Sequence, residues 1–183
     1  MEQVEPAQAS EFVDVLNDSG KVIATISRAD AERDNHTTEN VLIFVFTSHG
    51  KVWVQLRPKT KNHYPGRWDI SACGGIVSGE DRDAAAARET QEEMGITPEL
   101  RYVESFLNIF PGDNGEVRRR LSHLYIGVSD DTPQPSAEVD EFKCLEAVKL
   151  RADVHRRPAA YIPSFIVELD KAVAAYQLLY SKA

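Results

Sequence analysis

The hydrophobic positions of the chain fall into short runs, and the first of these runs predict strands. Glu11 to Leu16 and Lys21 to Ser27 are predicted to form two strands, because the Asn-Asp-Ser-Gly sequence between them is a strong turn signal. The continuous apolar run from Val41 to Phe46 is typical of a buried strand, and Lys51 to Leu56 is predicted to pair with it. The polar segment from Arg28 to Arg33 predicts a short helix or a loop.

The second part of the chain adds helices to the strands. A loop rich in Pro, Lys and Asn leads into a strand predicted at 68–76, and a polar helix is predicted from about Arg82 to Met94. A C-terminal helix is predicted over 163–180, where a hydrophobic stripe at helical spacing indicates core packing. Further strands are predicted at Leu100 to Phe106, Leu121 to Val128 and Glu141 to Ala147. This order predicts one α/β domain over residues 1–183, with a mixed sheet between helices, an N-terminal hairpin at 11–27 and a flexible segment at 1–10.

Composition limits the kinds of protein that this chain can be. A chain of 20.4 kDa with 42% hydrophobic and 27% charged residues fits one globular domain, and no apolar run approaches the roughly 18 residues that a membrane span needs. The acidic N-terminus is unlike a secretory signal, and Cys73 and Cys144 form neither a disulfide framework nor a metal-binding motif, so we expect a cytoplasmic protein. The net charge of −8 argues against long nucleic acids as partners. It is compatible with a small diphosphate whose charge is neutralised locally.

The segment from Gly74 to Ile96 carries the strongest chemical signal of the chain. A helix places Glu89, Glu92 and Glu93 on one face, because residues three and four apart are neighbours. Like charges at this spacing repel each other, and a hard divalent cation would offset that repulsion. Mg²⁺ and Mn²⁺ prefer oxygen ligands, so the spacing predicts a metal site to which Glu80 is available from the preceding loop.

The other positions of this predicted helix indicate how it is placed. Asp81 is predicted to cap its N-terminus and Gly95 to provide a left-handed C-cap. Four positions at helical spacing are predicted to face a sheet, away from the carboxylates: Ala84, Ala87, Thr90 and Met94.

The same segment resembles the signature of the Nudix hydrolase family, Gly-x5-Glu-x7-Arg-Glu-U-x-Glu-Glu-x-Gly-U, in which U is a bulky aliphatic residue. All of its glycine and charged positions are present, namely Gly74, Glu80, Arg88, Glu89, Glu92, Glu93 and Gly95. Thr90 at the first U position is the one departure, and we expect it to soften packing without removing chemistry. The resemblance implies the family's α/β/α sandwich and the hydrolysis of a nucleoside diphosphate derivative or a related small-molecule diphosphate.

The resemblance implies a particular set of metal ligands. Mg²⁺, with Mn²⁺ as the alternative, would be held by Glu89 and Glu93, supported by Glu92 or Glu80. Gly74 would allow close approach of the ligand and supply a carbonyl oxygen. The partners implied are a divalent cation and a small diphosphate, and a homodimer is expected because dimers are common in the family.

The resemblance also identifies catalytic candidates. Arg88 is expected to brace a catalytic glutamate by an ion pair, so Arg88, Glu92 and Glu93 are the predicted catalytic residues. The general base is left open between a glutamate of the signature, Glu92 or Glu93, and two acids of a later loop, Glu138 and Glu141.

Two clusters of basic residues are candidates for binding the phosphates. The first lies between a strand and the signature segment and contains Arg57, Lys59, Lys61 and Arg67. The second is the run Arg118, Arg119 and Arg120, whose members cannot all point into one pocket from a single strand. Arg57 is the first choice, since it ends a predicted strand and its guanidinium can bind a phosphate through two hydrogen bonds.

Outside the signature the chain resembles the subgroup related to isopentenyl diphosphate isomerase, on a Pro65-Gly-x-Trp-Asp69 sequence that follows Arg57. Cys73 matches the catalytic cysteine of the isomerase. Gly75 stands where the isomerase has a metal-binding histidine, and the arginines at 118–120 stand where its two glutamates are expected. A hydrolase is therefore predicted, with an isomerase-like enzyme as the first alternative and a noncatalytic nucleotide-binding module as the second.

Overall fold

The computed structural model of the protein describes residues 11–113 and 115–180. The segment 1–10, which is predicted to be flexible, lies outside these residues. Strands β1 (Phe12–Leu16) and β2 (Val22–Ser27) pair in antiparallel fashion as a separate two-stranded sheet. Helix α1 (Arg28–Arg33) follows directly, because the side chain of Ser27 caps it by accepting a hydrogen bond from the backbone nitrogen of Asp30.

The main sheet contains seven strands and mixes two directions of pairing. Strand β3 lies at its centre, parallel to β8 and antiparallel to β4 and β6. Strands β5 and β9 pair with β4, and β7 pairs with β8, all antiparallel. The strands are β3 (Thr38–Phe46), β4 (Lys51–Leu56), β5 (Trp68–Asp69), β6 (Ala72–Gly75), β7 (Leu100–Pro111), β8 (Val117–Val128) and β9 (Glu141–Glu146).

The single strand predicted at 68–76 is in fact two short strands, β5 and β6, that belong to different neighbours. The break lies at Ser71, whose hydroxyl donates to the carbonyl of Trp53 over 2.6 Å and accepts from the nitrogen of Val45 over 2.8 Å. One side chain therefore satisfies backbone groups of both β4 and β3 at the point where the chain crosses between them. The crossing brings Cys73 and Gly74 next to β3, opposite Leu42 and Val41.

Helices cover both faces of the main sheet. Helix α2 (Arg82–Met94) covers one face, and α3 (Ala147–Arg156) and α4 (Phe165–Tyr180) cover the other. Successive residues of β3 alternate between two buried clusters, with Val41, Ile43 and Val45 on the α2 side and Leu42, Phe44 and Phe46 on the other. The predicted α/β/α sandwich is thereby confirmed. Helix α3 follows β9 directly and was not predicted. No helix within 11–113 and 115–180 has the length and apolar character needed to cross a membrane.

Candidate active site

Helix α2 is fixed at both ends by the residues that the sequence predicts. The carboxylate of Asp81 accepts from the nitrogens of Asp83 and Ala84, at 2.9 and 3.3 Å. Gly95 ends the helix in the left-handed conformation, with a φ angle of 70°. These two caps define where the signature carboxylates lie along the helix.

The predicted orientation of α2 is wrong in part. Thr90 and Met94 are buried against the sheet as expected, but Ala84 and Ala87 are exposed, and Ala85 and Ala86 are buried in their place. The buried side also includes Glu89 and Glu93, which were predicted to face away from the sheet. The difference has a physical reason, since these two carboxylates point into a polar cavity beside β6 and not into the apolar core.

Glycine at position 74 is a steric requirement of this arrangement. A Cβ atom built on Gly74 would lie 1.9 Å from the carboxyl carbon of Glu89, so any side chain there would overlap the carboxylate. The Glu89 carboxylate therefore rests directly on the backbone of β6. Proximity of this kind is consistent with the predicted use of Gly74 as a backbone ligand, which stays a prediction.

Arg88 gathers three of the signature carboxylates around one guanidinium. Its Nε and Nη2 donate to both oxygens of Glu80, at 2.8 and 2.9 Å. Its Nη1 donates to Glu89 over 2.7 Å and to Glu92 over 3.1 Å. The hydrogen bonds from Arg88 hold the pKa of the Glu80 carboxyl below its ordinary value. The predicted bracing role of Arg88 thus has a geometric basis, and it extends to three glutamates.

Glu93 is held on the other side of the cluster without any arginine. Its Oε2 accepts from the backbone nitrogen of Cys73 and from Nε2 of Gln55, both at 2.8 Å. Burial, reinforced by the charge of Glu89, raises the pKa of Glu93 to about 8. Burial also raises the pKa of Glu89, although Arg88 opposes that effect. Glu89 therefore has Arg88 as its positively charged partner, whereas Glu93 forms no ion pair within residues 11–113 and 115–180.

A cavity of about 410 Å³ brings these groups together with residues from α1, β3 and the loop before β5. Nine of the predicted site residues line it, namely Arg57, Lys61, Gly74, Arg88, Glu89, Glu92, Glu93, Arg120 and Glu138. Glu80 is attached to the cluster through Arg88 and does not line the cavity. Lys59, Arg67, Arg118 and Glu141 do not line it either.

The predicted residues outside the cavity have other surroundings. Lys59 is exposed, and the guanidinium of Arg67 lies over the ring of Tyr64, 5.5 Å from its centroid. Arg118 is buried. Glu141 is exposed at the start of β9. The sequence could not separate Arg118 from Arg120, because they project from the same face of one strand and only the position of the cavity distinguishes them.

Arg57 is already engaged by the protein. Its Nη1 donates to the carboxylate of Asp69 over 2.9 Å, and its Nε donates to the carbonyl of His63 over 3.0 Å. Lys61, in the same loop, pairs with Glu138 over 2.9 Å within the cavity lining. Of the two candidate bases in the later loop, Glu138 is therefore the one at the cavity.

Several cavity residues were not predicted as site residues. The guanidinium of Arg28 pairs with Glu11 over 2.7 Å and lies over Gly75. Glu39 contacts His123, whose other ring nitrogen is 2.6 Å from the hydroxyl of Ser105. These residues come from separate elements, so no spacing along the chain links them to the signature segment.

The oxygen donors of this cluster suit a hard divalent cation, although they are not arranged as a preformed set of metal ligands in the described residues. Within residues 11–113 and 115–180, no three His, Cys, Asp or Glu side chains are arranged to hold a metal ion. Both oxygens of Glu80 and one oxygen each of Glu89 and Glu92 instead accept from Arg88. Oxygen donors crowded together in this way fit Mg²⁺ or Mn²⁺, since a cation would supply the positive charge that Glu93 lacks and add to the charge that Arg88 supplies to Glu89.

Comparison with known proteins places the fold and the site in a family. The family model of the NUDIX domain matches residues 36–165. An isopentenyl-diphosphate Delta-isomerase of Nocardia farcinica is 32% identical over 170 residues, which cover 90% of this chain and 96% of that protein. An isopentenyl-diphosphate Delta-isomerase 2 of Photorhabdus laumondii is 34% identical over 140 residues, or 76% of this chain and 79% of that protein. The chain belongs to the Nudix family.

A solved structure supports the same fold. The DR0079 protein of Deinococcus radiodurans superposes with a TM-score of 0.74 at 24% identity, over 88% of this chain and 99% of that one. The resemblance to Nudix proteins and to the isomerase subgroup is thus confirmed. As to the reaction, the names of the relatives support the isomerase alternative better than a pyrophosphohydrolase, and the likeness to DR0079 bears on the fold alone.

Proposed function

We propose that the protein is a divalent-cation-dependent hydrolase of a diphosphate linkage in a nucleoside diphosphate derivative or a related small molecule. One observation carries the proposal: three signature glutamates, Glu89, Glu92 and Glu93, line one cavity, and the fourth, Glu80, is attached to the cluster through Arg88. Glu93 accepts from the backbone nitrogen of Cys73. Such a carboxylate cluster is costly to keep without a cation. The names of the relatives do not speak for hydrolysis, so the proposal rests on the site.

Glu89 and Glu93, supported by Glu92 and Glu80, would hold Mg²⁺ or Mn²⁺. When bound, the cation supplies charge neutralisation at the phosphates and lowers the pKa of a water molecule. Arg88 keeps three carboxylates oriented together. Glu93 carries a proton at neutral pH as long as no cation lies beside it, because its pKa is raised to about 8. Ligation by Glu93 therefore releases a proton.

The general base is assigned to an acid that lines the cavity and reaches solvent. Glu92 and Glu138 meet both conditions, with side-chain exposures of 49% and 40%. Glu141 lies outside the cavity lining, so we do not assign it this role. In this proposal Glu138 takes the proton of the attacking water or Glu92 does, and Lys61 holds Glu138 at the cavity through an ion pair of 2.9 Å. Separate Glu92→Gln and Glu138→Gln variants distinguish them, because turnover falls most in the variant that lacks the base.

The test is turnover of a panel of diphosphate compounds with and without Mg²⁺. Nucleoside diphosphate sugars, dinucleoside polyphosphates and simple nucleoside diphosphates are incubated with the protein, and the phosphate-containing products are separated and measured. Activity that requires the cation and is lost in Glu89→Gln supports the proposal. Glu99→Gln, an exposed acid outside the cavity, is the matched control. Absence of turnover across the panel in folded protein would count against it.

Isomerisation of an allylic diphosphate is the second candidate, and the names of the relatives favour it. Cys73 also lines the cavity, with its backbone nitrogen on Glu93 and its thiol on Asp69. Two contacts argue against it. The space above Gly75, where the resemblance places a histidine ligand, is filled by the guanidinium of Arg28, and Arg120 lines the cavity from the segment where glutamates are expected.

Incubation with isopentenyl diphosphate and Mg²⁺ separates the two reactions. An isomerase converts it to dimethylallyl diphosphate and releases no phosphate, whereas a hydrolase releases phosphate or pyrophosphate. Conversion that disappears in a folded Cys73→Ala variant would replace our proposal with the isomerase. A noncatalytic binding module would give neither product and would bind nucleotides equally well after Glu89→Gln.

A further inference from the structure

Arg28 occupies a space that exists only because position 75 is glycine. A Cβ atom built on Gly75 would lie 2.2 Å from Nη1 of Arg28 and 2.9 Å from its Cζ. The guanidinium therefore sits against the backbone of β6, one residue after Gly74. It lines the cavity there, and its side chain is only 17% exposed.

The hydrogen-bonding capacity of Arg28 is only partly used. Its Nη2 pairs with Glu11 over 2.7 Å, but its Nε is buried without a hydrogen-bond partner. Arg88 and Arg57, by contrast, use both their Nε and Nη groups on protein acceptors. A buried guanidinium donor without a partner costs free energy unless a ligand provides an acceptor.

Arg120 adds a second positive charge to the same part of the cavity. In the part of the chain that the structure describes, it is hydrogen-bonded to the carbonyls of His36 and Arg119 and to no carboxylate. Burial lowers the pKa of Arg120, and the charges of Arg118 and Arg28 lower it further, while Glu32 raises it. Arg28 and Arg120 therefore lie close enough to interact electrostatically.

We propose that Arg28, seated against Gly75 and supported by Arg120, binds the phosphate group of the substrate that the carboxylate-held cation leaves unneutralised. The assignment rests on the proposed diphosphate chemistry and specifies where the second phosphate lies. A guanidinium matches phosphate oxygens through a planar fork of donors. Glu11 holds one edge of that fork, so Arg28 is oriented before the phosphate arrives.

The test is binding of inorganic pyrophosphate in the presence of Mg²⁺, measured by titration calorimetry. Arg28→Ala is expected to weaken binding by on the order of tenfold or more, as loss of charged hydrogen bonds to phosphate does. Gly75→Ala should weaken it as well, because the methyl group displaces the guanidinium. In the double variant the losses should not multiply, since both substitutions remove the same contact. Arg119 is exposed on β8 next to Arg120 and lies outside the cavity. The control variant Arg119→Ala should therefore bind pyrophosphate as the unaltered protein does.

Three results would overturn the assignment: unaltered protein that does not bind magnesium pyrophosphate, a folded Arg28→Ala variant with unchanged affinity, or losses in the double variant that multiply. If Arg28→Ala does not fold, Arg28→Lys serves instead and should bind with intermediate affinity, because the charge remains and the fork is lost. Arg28-dependent binding without turnover of any diphosphate would reject the hydrolase and leave this assignment in place. Turnover of a diphosphate, together with unchanged pyrophosphate binding in Arg28→Ala, would support the hydrolase and reject the assignment of Arg28.

Discussion

The backbone nitrogen of Cys73 donates a hydrogen bond of 2.8 Å to the carboxylate of Glu93. This bond joins the strand that enters the site to the last signature glutamate of α2, 20 residues further along the chain. It uses the main chain of Cys73, whereas the thiol donates a hydrogen bond to the carboxylate of Asp69 over 3.6 Å. The hydrogen bond to Glu93 therefore does not depend on which side chain stands at position 73. It does not by itself assign chemistry to the cysteine.

We expect Glu93→Gln and Glu89→Gln to lower turnover by about 10² or more, the scale of losing a key electrostatic group. Both variants should fold at least as stably as the unaltered protein, because burial disfavours the ionised form of each carboxyl and glutamine removes that cost. Steady-state kinetics with varied Mg²⁺, together with a urea denaturation curve, measures both effects. Unchanged turnover in both variants would contradict the metal assignment.

Cys73→Ala should keep most of the hydrolase activity and lose about 1 kcal/mol of stability, as a small truncation of a packed side chain does. Burial, with the charge of Asp69, raises the pKa of the Cys73 thiol well above its ordinary value, so alkylation at neutral pH should be slow. Mass spectrometry after timed treatment with iodoacetamide checks this, with the less buried Cys144 as the internal reference. Rapid and selective labelling of Cys73 would contradict the expectation.

Arg57→Ala is expected to raise the Michaelis constant, as the sequence predicts, and also to destabilise the fold. Arg57 pairs with Asp69, whose side chain is only 3% exposed, so its removal leaves a buried carboxylate uncompensated, at a cost of about 3 kcal/mol. Denaturation midpoints for Arg57→Ala, Arg57→Lys and Arg67→Ala measure the loss of stability, and steady-state kinetics of the same variants measure the Michaelis constant. Lys should recover part of the loss, and Arg67→Ala, which breaks no ion pair in the described residues, should change little.

Glu168 provides a pH dependence that is independent of the metal site. It is buried on α4, and its Oε1 accepts a hydrogen bond from Asn108 over 2.7 Å. Burial, reinforced by the charge of Asp69, raises the pKa of Glu168 from 4.5 to about 7. The folded state therefore holds this proton more tightly than the unfolded state does, and stability present below pH 4.5 is lost as the pH rises through about 7.

Glu168→Gln should remove that loss. At pH 8 the variant should be more stable than the unaltered protein by about 3 kcal/mol, because that free energy corresponds to a rise in the pKa of Glu168 from 4.5 to about 7. At pH 4 the two should differ little. Urea unfolding at a series of pH values compares them, and parallel curves over the whole range would show that Glu168 is not the group responsible.

The sequence predicts the elements of this fold better than it predicts their contacts. The apolar run of β3 and the caps of α2 at Asp81 and Gly95 are local signals, so they could be located from the chain alone. The break at Ser71 could not, because it depends on a hydroxyl that serves two strands from elsewhere in the sheet. The orientation of α2 was misjudged for a similar reason, since a carboxylate can be buried where a cavity receives it.

The candidate site also contains residues that the sequence could predict and residues that it could not. The carboxylates and Arg88 lie within one short segment at fixed spacing, so their meeting could be predicted. Arg28 and Glu39 reach the cavity from α1 and β3 and carry no spacing that relates them to the signature. Arg120 was predicted only as one member of a run.

The space above Gly75 has room for one side chain, and at present Arg28 fills it from another part of the chain. An arginine seated here and a side chain at position 75 therefore exclude each other. A substitution that introduces a side chain at 75 displaces the guanidinium, and loss of the arginine leaves a space beside the backbone of β6. The group that fills this part of the cavity can therefore come from position 28 or from position 75, but not from both.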